Sequence, residues 1–310
     1  MAGYNLIIYH VPGRQQVSDF HTVRDLMHLR APDIALHILS SGTPAQPGFW
    51  RRMAARPSVI FSPMPVRPNP RLRGAWLVTR DIPKWEEIEL LTGAGFPVPE
   101  TRLIGPGFTL DAAQWGPFTV IKPDIGFRGQ AVVLKRTRHV RFIDTHLLPE
   151  GDPRHRRRLL AQRYIHTGPR ASCYRVMTVL GRPVYAVCST AIDNLPPLDP
   201  LGVDDITIQV AANGGPRRLA LSADGEVLAL ARAVAAKLGH MPVLGIDIVR
   251  AEATGALYVL ELNSSGRTWH ISSDHGRHQQ EEQGLDYYKQ FDALAVITDA
   301  LIEATRRLAM

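Results

Sequence analysis

Two apolar runs lie close together near the end of the chain, LGIDIVR at 244–250 and YVLELN at 258–263, on either side of a turn at Thr254-Gly255. Apolar runs of this length on either side of a glycine turn read as strands that can pair as an antiparallel hairpin. Each carries polar side chains where an apolar one would serve the fold better: Asp247 in the first run, Glu261 and Asn263 in the second. Side chains two apart on a strand share a face, so Glu261 and Asn263 project together with Val259, while Tyr258, Leu260 and Leu262 face the other way. Pairing of the strands adds Asp247 as a third oxygen donor. Such a set suits a hard cation, and Mg2+ in particular is held by one or two carboxylates together with phosphates. The plainer reading is a strand end whose polar residues meet solvent, and a short motif alone does not decide between the two.

A second cluster lies in FTVIKPDIGFRGQAVVLKR at 118–136, where two β-rich runs, Phe118–Lys122 and Ala131–Lys135, flank a glycine loop. Loop amides next to Gly126 and Gly129 can approach phosphate oxygens closely, with Lys122 as a fixed positive charge beside them. A simple hairpin whose loop needs glycine for positive φ accounts for the same residues. Neither a P-loop nor a dinucleotide-binding glycine fingerprint is present. The lysine carries weight because the net charge of +7 is built almost wholly from arginine, with lysine only at positions 84, 122, 135, 237 and 289.

That charge favours acidic or phosphorylated ligands. Its densest run, Arg154-His155-Arg156-Arg157-Arg158, lacks the aromatic residues of a single-strand platform and reads as a solvated face at the start of a helix, so no nucleic-acid partner is expected. Cys173 and Cys188 make no disulfide framework and read as free buried thiols, which favours a cytoplasmic setting. No basic region precedes the apolar run at 6–9 and no later run reaches spanning length, so neither a signal peptide nor a membrane partner is expected.

At 310 residues, 45% of them hydrophobic, the chain has material for two or three subdomains. A βαβ-like pattern runs through a strand at 6–9, a helix at 18–29 and a strand at 34–39. After a further strand at 58–61, Pro63, Pro65, Pro68 and Pro70 mark a linker, and a first domain ends near Arg73. Asp81 reads as the cap, and Pro83 as the first turn, of a helix carrying Trp85, Ile88 and Leu91 at helical spacing. LLAQRYIHTG reads as the end of a helix or a connecting strand, YRVMTVLGRPVYAVCS as two strands turned at Gly181, residues 226–238 as a helix closed by Gly239, and 291–308 as a terminal helix.

The stretches DIPKWEEIELLTGAGFPVPET, VIKPDIGFRGQAVV, LAQRYI, YRVMTVLGRPV, VAANGG and GIDIVRAEATGALYVLELNSSG stand in an order that resembles the ATP-grasp superfamily, within it the glutathione-synthetase-like and ribosomal-protein glutamate ligase branch. The resemblance covers roughly residues 79–308. It implies an α/β chain with an N-terminal βαβ-type domain and two α+β ATP-grasp subdomains clasping a nucleotide. The expected division is an N-terminal domain at 1–73, linker and first helix at 74–105, a small lid at 106–163, and a C-terminal subdomain with the metal site at 164–310.

Carried over residue by residue, the resemblance directs Lys84 and Lys122 at ATP phosphates and makes Gly126, Arg128 and Gly129 the loop that closes over them. It makes Gln162, Arg163, Tyr164 and Ile165 the strand that reads adenine, with Gln162 standing where glutamate is common. Arg175 lies near the γ-phosphate or acyl-phosphate, Asn213 lines the site, and Asp247, Glu261 and Asn263 hold Mg2+, or Mn2+ in its place. Arg267, just past Asn263, is placed to meet an anionic substrate group, although a surface arginine after a Ser-Ser-Gly turn reads equally well. Trp269 and His270 follow it toward the same pocket.

The implied activity is a ligase joining a carboxylate substrate to an amine acceptor (amino acid, peptide or protein) through an acyl-phosphate, with release of ADP and phosphate. Its rivals are a phosphotransferase on the same fold and a nucleotide-binding regulator without turnover. A homodimer is expected on general grounds alone.

Overall fold

A computed structural model of the chain describes residues 3–42, 48–126, 129–209, 215–264 and 269–309. Three sheets follow one another. In the first, β1 (Tyr4–His10) lies between β2 (Ile34–Ser40) and β3 (Ser58–Ser62), with β4 (Ala75–Val78) on the far edge and every pairing parallel. Parallel strands are covered on both faces, which is why NLIIYH alternates nothing and is buried throughout. Leu6 and Ile8 face a core shared with α1 (Val17–Arg30), while Ile7 and Tyr9 face one shared with α2 (Phe49–Ala54).

The boundary expected at 73 falls between β3 and β4 of this sheet. Gly74 makes the extra strand possible: its φ is +136°, and a Cβ there would stand 2.0 Å from the Ser58 carbonyl oxygen, so only glycine passes.

Helix α3 (Lys84–Gly93) leads into the second sheet, ordered β11-β7-β6-β8-β5 from β5 (Thr101–Ile104), β6 (Phe118–Pro123), β7 (Val133–Arg136), β8 (Leu159–Arg163) and β11 (Thr207–Gln209), with the short α4 (Ala112–Trp115) packed on it. The third is antiparallel, ordered β12-β10-β9-β13-β14, from β9 (Ser172–Val179), β10 (Arg182–Ala191), β12 (Arg217–Leu221), β13 (Val243–Arg250) and β14 (Leu257–Asn263). One of its faces is covered by α5 (Gly225–Lys237), whose N-terminus Asp224 caps by accepting from the amides of Glu226 and Val227. On the other face α7 (Ala293–Leu308), preceded by α6 (Asp274–Gln283), packs against β10 and also against α1, β1 and β3. The first and third sheets therefore share one core, in which Phe20, Phe61, Met177, Tyr185, Ile297 and Leu301 meet. Among the described residues no helix is long and apolar enough to cross a membrane.

Four sequence expectations are corrected. Residues 154–156 form turns and 157–158 run irregularly into β8 rather than starting a helix, with Arg156 at a φ of +53° that a right-handed helix does not allow. Helix α3 begins at Lys84 with Pro83 as its N-cap, so Asp81 is not the cap. Cys173 and Cys188 are half-buried rather than buried, and since Cys173 pairs with Ser189, the two thiols project from opposite faces. Finally, the register of the β13–β14 hairpin shifts: Asp247 opposes Glu261 but Ile248 opposes Val259, leaving Leu260 as the extra residue of a bulge. Val259 consequently turns into the core beside Ile248 and Leu262, away from Glu261.

Candidate active site

The bulge isolates Glu261 and Asn263 on the face of β14 that also carries Asp247 of β13 and Arg175 of β9, because directly opposed residues of antiparallel strands share a face and Asp247 opposes both Arg175 and Glu261. Arg175 grips Asp247 with two parallel hydrogen bonds, Nε to Oδ1 and an Nη to Oδ2, both 2.7 Å. Asn263 Nδ2 donates to Asp247 Oδ2 at 3.1 Å, which leaves its amide oxygen as an available acceptor. Burial works against the Arg175 guanidinium, but the paired carboxylate outweighs it and raises its pKa.

Lys84 arrives from α3 and reaches across to Glu261, Nζ to Oε1 2.6 Å, and toward the Gly126 carbonyl at 3.4 Å. Burial disfavours its ammonium, yet Glu261 more than compensates and lifts its pKa above the usual value. Burial likewise penalises the Glu261 carboxylate, and Lys84 and Lys122 outweigh that to hold its pKa below the usual range. Lys122 of β6 is only 6% exposed and donates to Gln162 Oε1 at 3.1 Å, while Gln162 Nε2 donates to Thr101. For Lys122 burial prevails and lowers the pKa. Its hydrogen-bond partner Gln162 is neutral, so the compensation of its charge comes only from a distance, chiefly from Glu261, and falls short of the cost of burial.

Arg163 is exposed and its amide bonds to the Glu100 carbonyl, while Tyr164 and Ile165 are half-buried at the end of β8. Burial pushes the Tyr164 phenol up to about 12. Gly129 has a φ of +69°, the positive value that a glycine turn supplies. Arg128, Asn213 and Arg267 lie outside the described residues.

Two acidic residues escaped the sequence reading. Asp124, directly after Lys122-Pro123, accepts from the Trp85 amide at 2.8 Å through Oδ1, while its own carbonyl accepts from the Lys84 amide at 3.0 Å. It thus caps α3 from a remote strand end and locks the two lysines into one frame, with Arg158 bound to its other oxygen. Asp124→Ala is expected to cost about 1–2 kcal/mol, read from the denaturation midpoint, whereas Asp124→Asn, which keeps the acceptor, costs less.

Glu87 lies three residues past Lys84 and is buried. Its carboxylate accepts from the Leu262 amide at 3.1 Å, beside Glu261. Its only sequence signal was position: it sits on the helix next to Ile88 and Leu91. Burial first, and then the charge of Glu261, push its pKa well above the usual value. An unfolded chain ionises this group from about pH 4.5 upward while the folded chain releases its proton only at higher pH, so stability falls as pH rises above about 4.5. Glu87→Gln, which preserves the acceptor for Leu262, is expected to melt higher than the wild type at pH 7, the gap closing below about pH 4.5. Equal melting temperatures across that range would refute this.

Taken together, two lysines from separate elements meet two carboxylates, a carboxamide and an arginine on one wall of the third sheet. The chain aligns along nearly its whole length with the solved structure of D-cycloserine synthetase DcsG (TM-score 0.52, 17% identity, 97% of this chain and 99% of that one). It aligns equally with ATP-grasp ligase PsnB complexed with precursor peptide PsnA2 and AMPPNP (TM-score 0.52, 17% identity, 97% and 98%). The same ligase complexed with a phosphomimetic variant of its minimal precursor, Mg and ADP gives a TM-score of 0.51, 17% identity and 98% and 100% coverage. The chain has the ATP-grasp fold. No protein-family model and no curated protein sequence matches it.

Within the ATP-grasp fold the donor set fits a hard divalent cation: Asp247, Glu261 and the Asn263 amide oxygen are all oxygen ligands. Arg175 and Lys84 stand on the two carboxylates as counter-charges. Among the described residues no cluster of three His, Cys, Asp or Glu side chains offers a softer metal site.

Proposed function

We propose that the protein is an ATP-dependent carboxylate–amine ligase. The observation that carries the reading is the Lys84–Glu261 contact, which ties the helix before the lid sheet to the carboxylate wall and sets Lys122, with its neutral partner, beside it. Lys84 and Lys122 would neutralise the phosphates of ATP, and the amides around Gly126 and Gly129 would approach them. Asp247, Glu261 and Asn263 would hold Mg2+, or Mn2+, whose charge supports phosphoryl transfer when bound.

In the reaction a substrate carboxylate oxygen attacks the γ-phosphorus, the bond to ADP breaks, and an acyl-phosphate forms. An amine then attacks the acyl carbon, phosphate departs with the electron pair, and the amine gives up a proton. Phosphoryl transfer of this kind needs positioning and charge rather than a protein nucleophile. Arg175, with Arg217 on the same face of the sheet, would meet the charge that develops on the acyl-phosphate. The PsnB complexes, with a peptide precursor and a nucleotide, support amino-acid or peptide substrates.

The test is ADP release from Mg-ATP against pools of amino acids, small carboxylates and peptides. Release that needs both a carboxylate and an amine, and that Glu261→Gln abolishes, is the expected result. Release with a hydroxyl acceptor and no need of an amine would replace the ligase with a phosphotransferase.

A further inference from the structure

At the carboxyl-terminal edge of the first sheet, two buried side chains carry polar atoms that have no hydrogen-bond partner among the described residues. Gln15 is 7% exposed, and both its Oε1 and its Nε2 are unbonded. His10 is 6% exposed; its Nε2 lies 2.8 Å from Ser40 Oγ, and its Nδ1 is unbonded. Buried polar groups are nearly always paired, so three orphan atoms within six residues need an explanation.

Their position supplies one. The chain passes from β1 to β2 on one side and continues to β3 on the other, so the topological switch of this parallel sheet lies between β1 and β3. Ligands of open parallel sheets enter at the carboxyl ends of the strands at such a switch. His10 is the last residue of β1, and Gln15 lies in the turn from β1 to α1. The same edge is closed by residues 269–272, which follow β14 in the chain. The Gln16 amide donates to Ser272 Oγ at 3.1 Å, and Trp269 packs against Phe20 and Phe61 with ring centres at 5.7 and 6.4 Å. Buried Asp19 fastens this closure, accepting from Trp269 Nε1, Ser272 Oγ and the Tyr288 hydroxyl. His270, between them, lies 2.9 Å from Ser273 Oγ through Nδ1, and burial followed by the charges of Arg175, His275 and Arg217 drives its pKa down to about 3. Residues 269–272, a few positions after Asn263 in the chain, thus stand against the β1–α1 turn that carries Gln15.

Resting on the ligase reading, we propose that His10 and Gln15 form a substrate subsite for an uncharged amide group, the peptide or carboxamide portion of a substrate whose other end reacts at the carboxylate wall. A carboxamide offers one acceptor and one donor side by side, the complement of an amide C=O and N–H, and the imidazole adds a third hydrogen bond. Burial, followed by the charge of His21, lowers the His10 pKa and keeps its ring neutral. Neither side chain brings a positive charge to pair with a carboxylate, so a neutral group is the match.

The experiment reads binding without ATP or turnover. Histidine ring NMR signals of the full chain are followed during titration with N-acetylglycinamide, and separately with acetate, in wild type and Gln15→Leu. A saturable shift of the His10 signal with the amide, absent in Gln15→Leu and not reproduced by acetate, is expected. Gln15→Leu should also melt no lower than wild type, because it removes unbonded polar atoms. No saturable shift, a shift that persists in Gln15→Leu, or a response to acetate alone would overturn the subsite. So would a clear drop in melting temperature, which would mark the carboxamide as satisfied internally by trapped water. Amide binding without ligation would sink only the ligase reading, and ligation without amide binding only the subsite.

Discussion

Lys122→Met is expected to lower Mg-ATP-dependent ADP release by about two to three orders of magnitude, the scale lost when one preorganised charge-stabilising donor is removed. The reason is the environment of the ammonium. Lys122 is almost fully buried, its pKa is lowered by that burial, and its hydrogen-bond partner is the neutral Gln162. A buried cation bonded to a neutral partner is costly to the free protein and strongly attractive to an incoming phosphate. Methionine keeps the length of the chain and discards the charge, so folding should survive. Leaving Gln162 Oε1 unbonded costs about 1–3 kcal/mol, which relief of the buried charge offsets, and the melting temperature should move by only a few degrees. Calorimetry beside the ADP assay separates the two effects. Near-normal turnover in the variant would remove Lys122 from the phosphate site.

Asp247→Ala should act in the opposite manner, destroying stability and activity together. Removing one partner of a buried, doubly hydrogen-bonded ion pair leaves the other charge uncompensated and costs about 3–5 kcal/mol. Here the orphan would be Arg175, whose side chain is 26% exposed and which already feels the charge of Arg217. Asn263 would lose its acceptor as well. Removing both partners, as in Asp247→Leu with Arg175→Met, should recover most of that stability with no return of ADP release, because no uncompensated charge is left behind while the carboxylate stays absent. A thermodynamic cycle through Asp247→Leu, Arg175→Met and the double variant measures the coupling. Additive losses would show that the two side chains do not depend on each other.

Much of this site was legible before any fold was known, since short-range rules place its parts. Alternation along 258–263 and the turn at Thr254-Gly255 put Asp247, Glu261 and Asn263 on a hairpin, the scarcity of lysine gave weight to Lys122, and Lys84 came only from the family resemblance. The same alternation misplaced Val259, because a bulge inserts one unpaired residue and reverses every face beyond it. Periodicity has no way to register such an insertion.

What the sequence by itself determined is therefore local: strand faces, helix stripes, the glycine turns and the inventory of charges. Only the tertiary structure decided which of those charges meet. Lys84 and Glu261 are separated by 177 residues, Trp269 and Asp19 by 250, and Asp124 caps a helix from a strand end 39 residues away. The physical reason is that local preferences act over a few residues of backbone, whereas an ion pair or a buried cap depends on distances set by how three sheets pack. Neither Glu87 nor Gln15 stands apart by residue type, and each becomes informative only once packing removes it from water.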